Sequence, residues 1–247
     1  MRTIDINSDL GEFSDESRLE NDRKVLQYVT SANIACGFHA SDPFTMTKSV
    51  RMAKEAGVHI GAHPGFPDRE GFGRRPMDMN PEEVKAIVLY QIGALQAICR
   101  AEGTKLYHVK PHGALYNMAA KDEALALAIA EAVAETGEDL VLFGLSGSLM
   151  ETAAKAKDVR FASEVFADRA YEDDSTLVSR TKPGAMIEDE TLAIARMARL
   201  MNEGVIESVN GRDIPLKADT ICVHGDSPKA LAFAKALREA MESLGAI

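Results

Sequence analysis

The chain has 247 residues, 46% hydrophobic and 27% charged, with 38 acidic against 28 basic side chains and a formal net charge of −10. That length suits one (β/α) barrel, typically about 250 residues, and the composition excludes a disordered chain. The negative field disfavours nucleic acid and membrane surfaces as partners, and no apolar run reads as approaching the roughly 20 residues of a membrane span.

In chain order, short apolar strands alternate with amphipathic helices. The strands are expected at residues 3–7, 32–38, 58–62, 105–109, 140–145, 160–165 and 219–223. Ser41, Asp42 and Pro43 open one helix that Gly57 closes, and Asn80-Pro81-Glu82-Glu83 opens the next, with Gly103 past its end. Further helices are expected at 122–135, 147–155, 188–202 and 227–243. Such alternation implies right-handed crossovers and a parallel sheet. Seven units in one domain spanning residues 1–247 suit a closed seven-stranded TIM-like barrel better than an open doubly wound sheet. Two stretches break the rhythm. Residues 205–217 read as a β-hairpin on a two-residue type I′ turn at Asn210-Gly211, and residues 167–186 read as a long aperiodic loop, expected to act as a lid.

The ends of the chain and its thiols bear on location. With acids within the first nine residues no secretory signal is expected, and Cys36, Cys99 and Cys222 are odd in number and far apart. Reduced thiols in a cytoplasmic protein are expected.

Strands covered on both faces should be nearly continuous apolar runs, yet several here alternate. Ile4 and Ile6 alternate with Asp5, Asn7 and Asp9; Val58, Ile60 and Ala62 with His59, Gly61 and His63; Tyr107 and Val109 with His108, Lys110 and His112. In the last strand Ile221 and Val223 alternate with Thr220, Cys222, His224 and Asp226. Side chains alternate faces with period two, so the polar phase points into the barrel and toward its carboxyl-terminal rim, where barrel enzymes keep their sites. A chain does not line its interior with charge for stability, because a buried unpaired charge costs several kcal/mol. All six histidines lie on or just after strands. The second strand adds Asn33, and the following loops add Glu12 and His39, a basic run from Arg69 to Arg75, and helix N-termini at Ser41, Ser146-Gly147 and Ser227 suited to a small carboxylate. No GxxxxGK[ST] nucleotide loop and no HExxH zinc helix is present.

Six segments are recognisable: DINSDLGE (5–12), SANIACGFHASDP (31–43), GAHPGFPD (61–68), VKPHGALYN (109–117), PGAMI (183–187) and ADTICVHGDSP (218–228). Together they resemble the LamB/YcsF family, the A subunits of bacterial 5-oxoprolinase. Ser8 stands where the family usually has Cys, and Ser41 where Gly is usual. The resemblance implies a barrel of the glycoside hydrolase/deacetylase type. It also implies ATP-dependent hydrolytic opening of 5-oxo-L-proline to L-glutamate with partner subunits B and C, which are expected to handle at least part of the nucleotide.

On this reading Asp9 is the general base or orients a water, His63 and His112 transfer protons or stabilise an oxyanion, and Lys110 neutralises carboxylate or oxyanion charge. Asn7, Glu12, Asn33, His39, His224 and Asp226 are expected to position substrate. Two rival functions remain open at this point. One is a stand-alone metal-dependent hydrolase or deacetylase, with Asp9 and His39, His63 or His112 on a divalent ion. The other is a binding subunit without chemistry of its own.

Overall fold

The computed structural model describes residues 3–223 and 230–247. Seven parallel strands close a barrel: β1 (Asp5–Leu10), β2 (Ser31–Ala35), β3 (His59–His63), β4 (His108–Val109), β5 (Val141–Leu145), β6 (Arg160–Phe166) and, after the hairpin strands β7 (Val205–Glu207) and β8 (Asp213–Pro215), β9 (Thr220–Val223). Closure comes from β9, which pairs with β6 on one side and β1 on the other, Val165 lying opposite Ile221 and Asn7 opposite Cys222. The expected closed seven-stranded barrel is the observed one.

Helices α1 (Glu16–Val25), α2 (Pro43–Ala56), α3 (Pro81–Ala101), α4 (Gly113–Ala119), α5 (Glu123–Ala134), α6 (Leu149–Ala156), α7 (Glu190–Glu203) and α8 (Ala230–Ser243) accompany the strands. Their ends follow from local chemistry. The Asp42 carboxylate accepts from the backbone N–H of Phe44 and Thr45, Pro43 sits in the first turn, and Gly57 closes α2 at φ 72°. Asn80 and Glu83 form a reciprocal capping box on α3. Along α3, Val84, Val88, Ile92, Leu95 and Cys99 form one fully buried stripe, each aliphatic side chain contributing about 1.5–3 kcal/mol by burial.

Four expectations need correction. Helix α1 was not anticipated, because only Leu19 and Val25 are apolar among its ten residues; α4 was hidden behind its leading glycine. The hairpin forms, but Gly211 N–H donates to Ser208 and Ser208 N–H donates to Arg212. Of the pair Asn210-Gly211 only Gly211 has a positive φ, so the loop is a type I turn with a glycine bulge rather than type I′. Residues 167–186 hold no helix or extended strand, as expected, and are tied by two isolated bridges, Arg169 to Met186 and Tyr171 to Leu177. The N-terminus of α2 is no anion site, because Asp42 already occupies it; Ser227 lies outside the described residues. Finally, α3, at 21 residues, is long and apolar enough to cross a membrane by length and composition, contrary to expectation. Its buried stripe packs it onto the barrel instead.

Candidate active site

The inward phase of each strand builds the barrel interior in tiers. At the amino end, Asp5 accepts hydrogen bonds from the hydroxyls of Thr30, Ser31 and Thr220 (2.5, 2.6 and 2.5 Å). In the middle, the Asn7 amide donates to Glu164 (3.0 Å) and Thr220 (2.7 Å), and its oxygen accepts from Asn33 (2.7 Å). Asn33 also donates to Asp9 Oδ1 (2.8 Å) and accepts from His108 Nε2 (2.6 Å). The His108 ring stacks on Phe143 and lies over Gly61, where a Cβ would meet Nε2 at 2.0 Å. Glycine is thus the only residue type at this position that leaves room for the ring.

Lys110 ties these tiers together. Its ammonium, on a side chain 3% exposed, lies 2.9 Å from Asp9 Oδ1 and 2.9 Å from Glu164 Oε1. It also donates to Asn7 (3.0 Å) and approaches the Cys222 sulfur (3.0 Å). Burial opposes its charge, but Asp9, Cys222 and Glu164 outweigh that and hold its pKa well above the usual lysine value. Burial pushes the Cys222 thiol up, away from thiolate formation at neutral pH.

The carboxyl-terminal tier is a histidine cluster. His63 Nδ1 lies 2.7 Å from the Lys110 carbonyl oxygen, and its Nε2 lies 2.9 Å from His112 Nδ1 and 3.5 Å from Asp9 Oδ2. His112 Nε2 lies 2.8 Å from the Phe72 carbonyl oxygen. Glu12 Oε1 stands 3.5 Å from His112 Nδ1 and 3.4 Å from His39 Nε2. The His39 ring stacks on His112 at 3.7 Å, with 3° between the planes. Burial, reinforced by the neighbouring imidazoles, holds His39 and His112 well below the usual histidine pKa, so both are neutral near pH 7. Gly11 N–H donates to buried Asp22 (2.9 Å), which fixes the turn presenting Glu12.

A cavity of about 560 Å³ opens onto this tier, reached by Asp9, Glu12, His63, Lys110 and His112. The 167–186 excursion forms one of its walls. From that wall Arg169, 4% exposed, donates to the Val178 carbonyl (2.6 Å) through one terminal nitrogen, while its buried Nε has no partner. Burial, then the charge of Arg180, lowers the Arg169 pKa to about 10, leaving it cationic at neutral pH.

The structure therefore brings Asp9, Glu12, His63, Lys110 and His112 to one cavity. Asn7 and Asn33 lie one tier below with their amides engaged by Asp9, Glu164, Thr220 and His108, and His39 flanks the cluster. His224 and Asp226 lie outside the described residues. Sequence reasoning missed Glu164 and Arg169. The signal for Glu164 was its place on a strand paired to β9; Arg169 gave no periodic signal at all. For a cation, the donors gathered most closely are Glu12, His39, His63 and His112, whose ligand atoms all lie within 4.8 Å of one another.

The LamB/YcsF family model matches residues 4–246. The 5-oxoprolinase A subunit of Clostridium beijerinckii is 55% identical over 98% of this chain and 95% of its own length. Its counterpart from Geobacillus kaustophilus is 54% identical over 99% of this chain and 95% of its own. The crystal structure of a lactam utilization protein from Thermus thermophilus superposes with a TM-score of 0.90 at 44% identity, covering 98% of this chain and 97% of that one.

Proposed function

The chain belongs to the LamB/YcsF family, and on that premise we propose that it is the A subunit of a 5-oxoprolinase, opening 5-oxo-L-proline to L-glutamate by hydrolysis. The observation that carries this reading is the convergence of Asp9, His63, Lys110 and His112 on one cavity, in a chain so similar to proteins of that name.

A five-membered lactam is a stable amide, so its hydrolysis calls for coupling to ATP. The described residues include no glycine-rich phosphate cradle, and we assign the nucleotide to partner subunits B and C. What this chain supplies is orientation and proton handling. Asp9 Oδ1 is held by Asn33 and Lys110, and Oδ2, on the His63 side, takes the proton of the attacking water. As the ring C–N bond breaks, the nitrogen needs a proton, and the one that Asp9 has taken from water supplies it.

Lys110 is already matched by two carboxylates, so Arg169 is the better anchor for the substrate carboxylate. Its buried, unpartnered Nε would gain a charge-assisted bond there. A cytoplasmic setting belongs to the same reading, supported by three buried, unpaired cysteines.

The test is ATP-dependent glutamate release from 5-oxoproline, measured with this chain alone and with subunits B and C. Release that requires this chain in the mixture is expected; release that proceeds equally without it would overturn the reading.

A further inference from the structure

His63 and His112 pose a problem of proton count. His63 Nδ1 and His112 Nε2 each point at a backbone carbonyl oxygen, of Lys110 and Phe72 respectively. A carbonyl only accepts, so each of these nitrogens carries its ring's hydrogen. In the neutral rings His63 Nε2 and His112 Nδ1 are then both bare, and they face each other at 2.9 Å. Two lone pairs at that separation repel unless something positive lies between or beside them. Anionic oxygens close on the same point, Glu12 Oε1 3.5 Å from His112 Nδ1 and Asp9 Oδ2 3.5 Å from His63 Nε2.

A proton shared by the two rings is one candidate for that position. A metal ion fits better on three counts. Imidazoles whose second nitrogen donates to a backbone carbonyl are the usual form of oriented metal ligands, and both rings have that form here. The planes of His63 and His112 stand at 86°, so both lone pairs can meet at one point in space. Ligand atoms around a tetrahedral ion with bonds of about 2.0–2.1 Å lie about 3.3 Å apart. Two of the three edges, His63–His112 at 2.9 Å and His112–Glu12 at 3.5 Å, bracket that length, and all the ligand atoms lie within 4.8 Å of one another. His39, by contrast, lies parallel to His112 at 3.7 Å, and two stacked rings cannot both direct in-plane lone pairs at one ion.

We propose that His63 Nε2, His112 Nδ1 and the Glu12 carboxylate form a binding site for a divalent transition-metal cation of the zinc class, with its remaining position facing the cavity. Two imidazoles and one carboxylate are the donor set such an ion prefers. The site does not depend on the reaction proposed above.

Cobalt(II) is the probe, because its visible absorption reports a low-coordinate nitrogen/oxygen site directly. The full-length chain, stripped with chelator and dialysed, is titrated with Co2+. One ion per chain is expected, with the absorption bands of four- or five-coordination. His112→Ala and Glu12→Gln should each weaken binding by roughly 10-fold or more. His59→Ala, at an exposed histidine stacked on Tyr107, should bind as the native chain does. Circular dichroism establishes that each variant is folded, and the near-isosteric Glu12→Gln decides the matter if His112→Ala is not. Absence of saturable binding by the native chain, or binding that persists undiminished in Glu12→Gln, would overturn the proposal. Because the readout is spectroscopic, a chain that binds cobalt yet fails to open 5-oxoproline separates this inference from the proposed function.

Discussion

Lys110 and Asp9 lie 101 residues apart in the chain, yet their side chains meet in a buried ion pair of 2.9 Å. The same ammonium also neutralises Glu164 at 2.9 Å, so one cation serves two buried carboxylates. Removing one partner of a buried pair costs about 3–5 kcal/mol, since the other charge is stranded. Lys110→Met should therefore lower unfolding free energy by roughly that amount at pH 7, measured by urea denaturation. A loss below about 1 kcal/mol, the range of exposed pairs, would mean that the pair is solvated.

Asp22 gives a pH signature. Burial raises its carboxyl from 3.8 to about 7, against the opposing hydrogen bond from Gly11 N–H. The folded state then binds the proton more tightly than the unfolded one, so its contribution is present at low pH and declines as pH rises from about 4 to about 7. The decline is at most about 4 kcal/mol. Asp22→Asn, which can still accept from Gly11, should flatten stability over that window and stabilise the protein at pH 7. Melting temperatures across pH test this, and an unchanged slope in the variant would rule it out.

Arg169 should matter for substrate capture rather than turnover. A hydrogen bond to a charged group is worth about 1.5–3 kcal/mol. Arg169→Ala should accordingly raise KM for 5-oxoproline by roughly 10- to 100-fold, with a smaller change in kcat. Steady-state kinetics in the reconstituted mixture would show it; an unchanged KM would place the substrate carboxylate elsewhere.

Gly61 tests the tier that holds Asn33. An added methyl would collide with the His108 ring, and overpacking of this kind typically costs about 1–3 kcal/mol. Gly61→Ala should destabilise the fold by at least that much and weaken activity by disturbing the Asn33 contact to Asp9. A variant as stable and active as the native chain would show that the ring has room to move.

How much of this was readable in the chain depends on how each residue is held. Asp5, Asn7 and Asp9 were legible because one strand alternates cleanly with Ile4 and Ile6, and period two is a property of the extended backbone. Glu164 was not, because β6 carries Arg160 and Glu164 on one phase and Ser163 on the other, with no apolar contrast to give the direction. Arg169 is fixed by bridges within an aperiodic excursion, which only the folded chain reveals. The lone pairs of His63 and His112 are aimed by the carbonyls of Lys110 and Phe72, and backbone acceptors leave no trace in residue identity.

The most direct test of the central claim, that this interior performs the ring opening, is glutamate release by Asp9→Asn in the mixture with subunits B and C. Asparagine keeps an oxygen to accept from Asn33 and Lys110 but cannot take a proton from water, so the variant should fold, bind 5-oxoproline and release no glutamate above background. Turnover at the native rate would contradict the account, and the barrel would then serve as a binding chamber for chemistry performed by its partners.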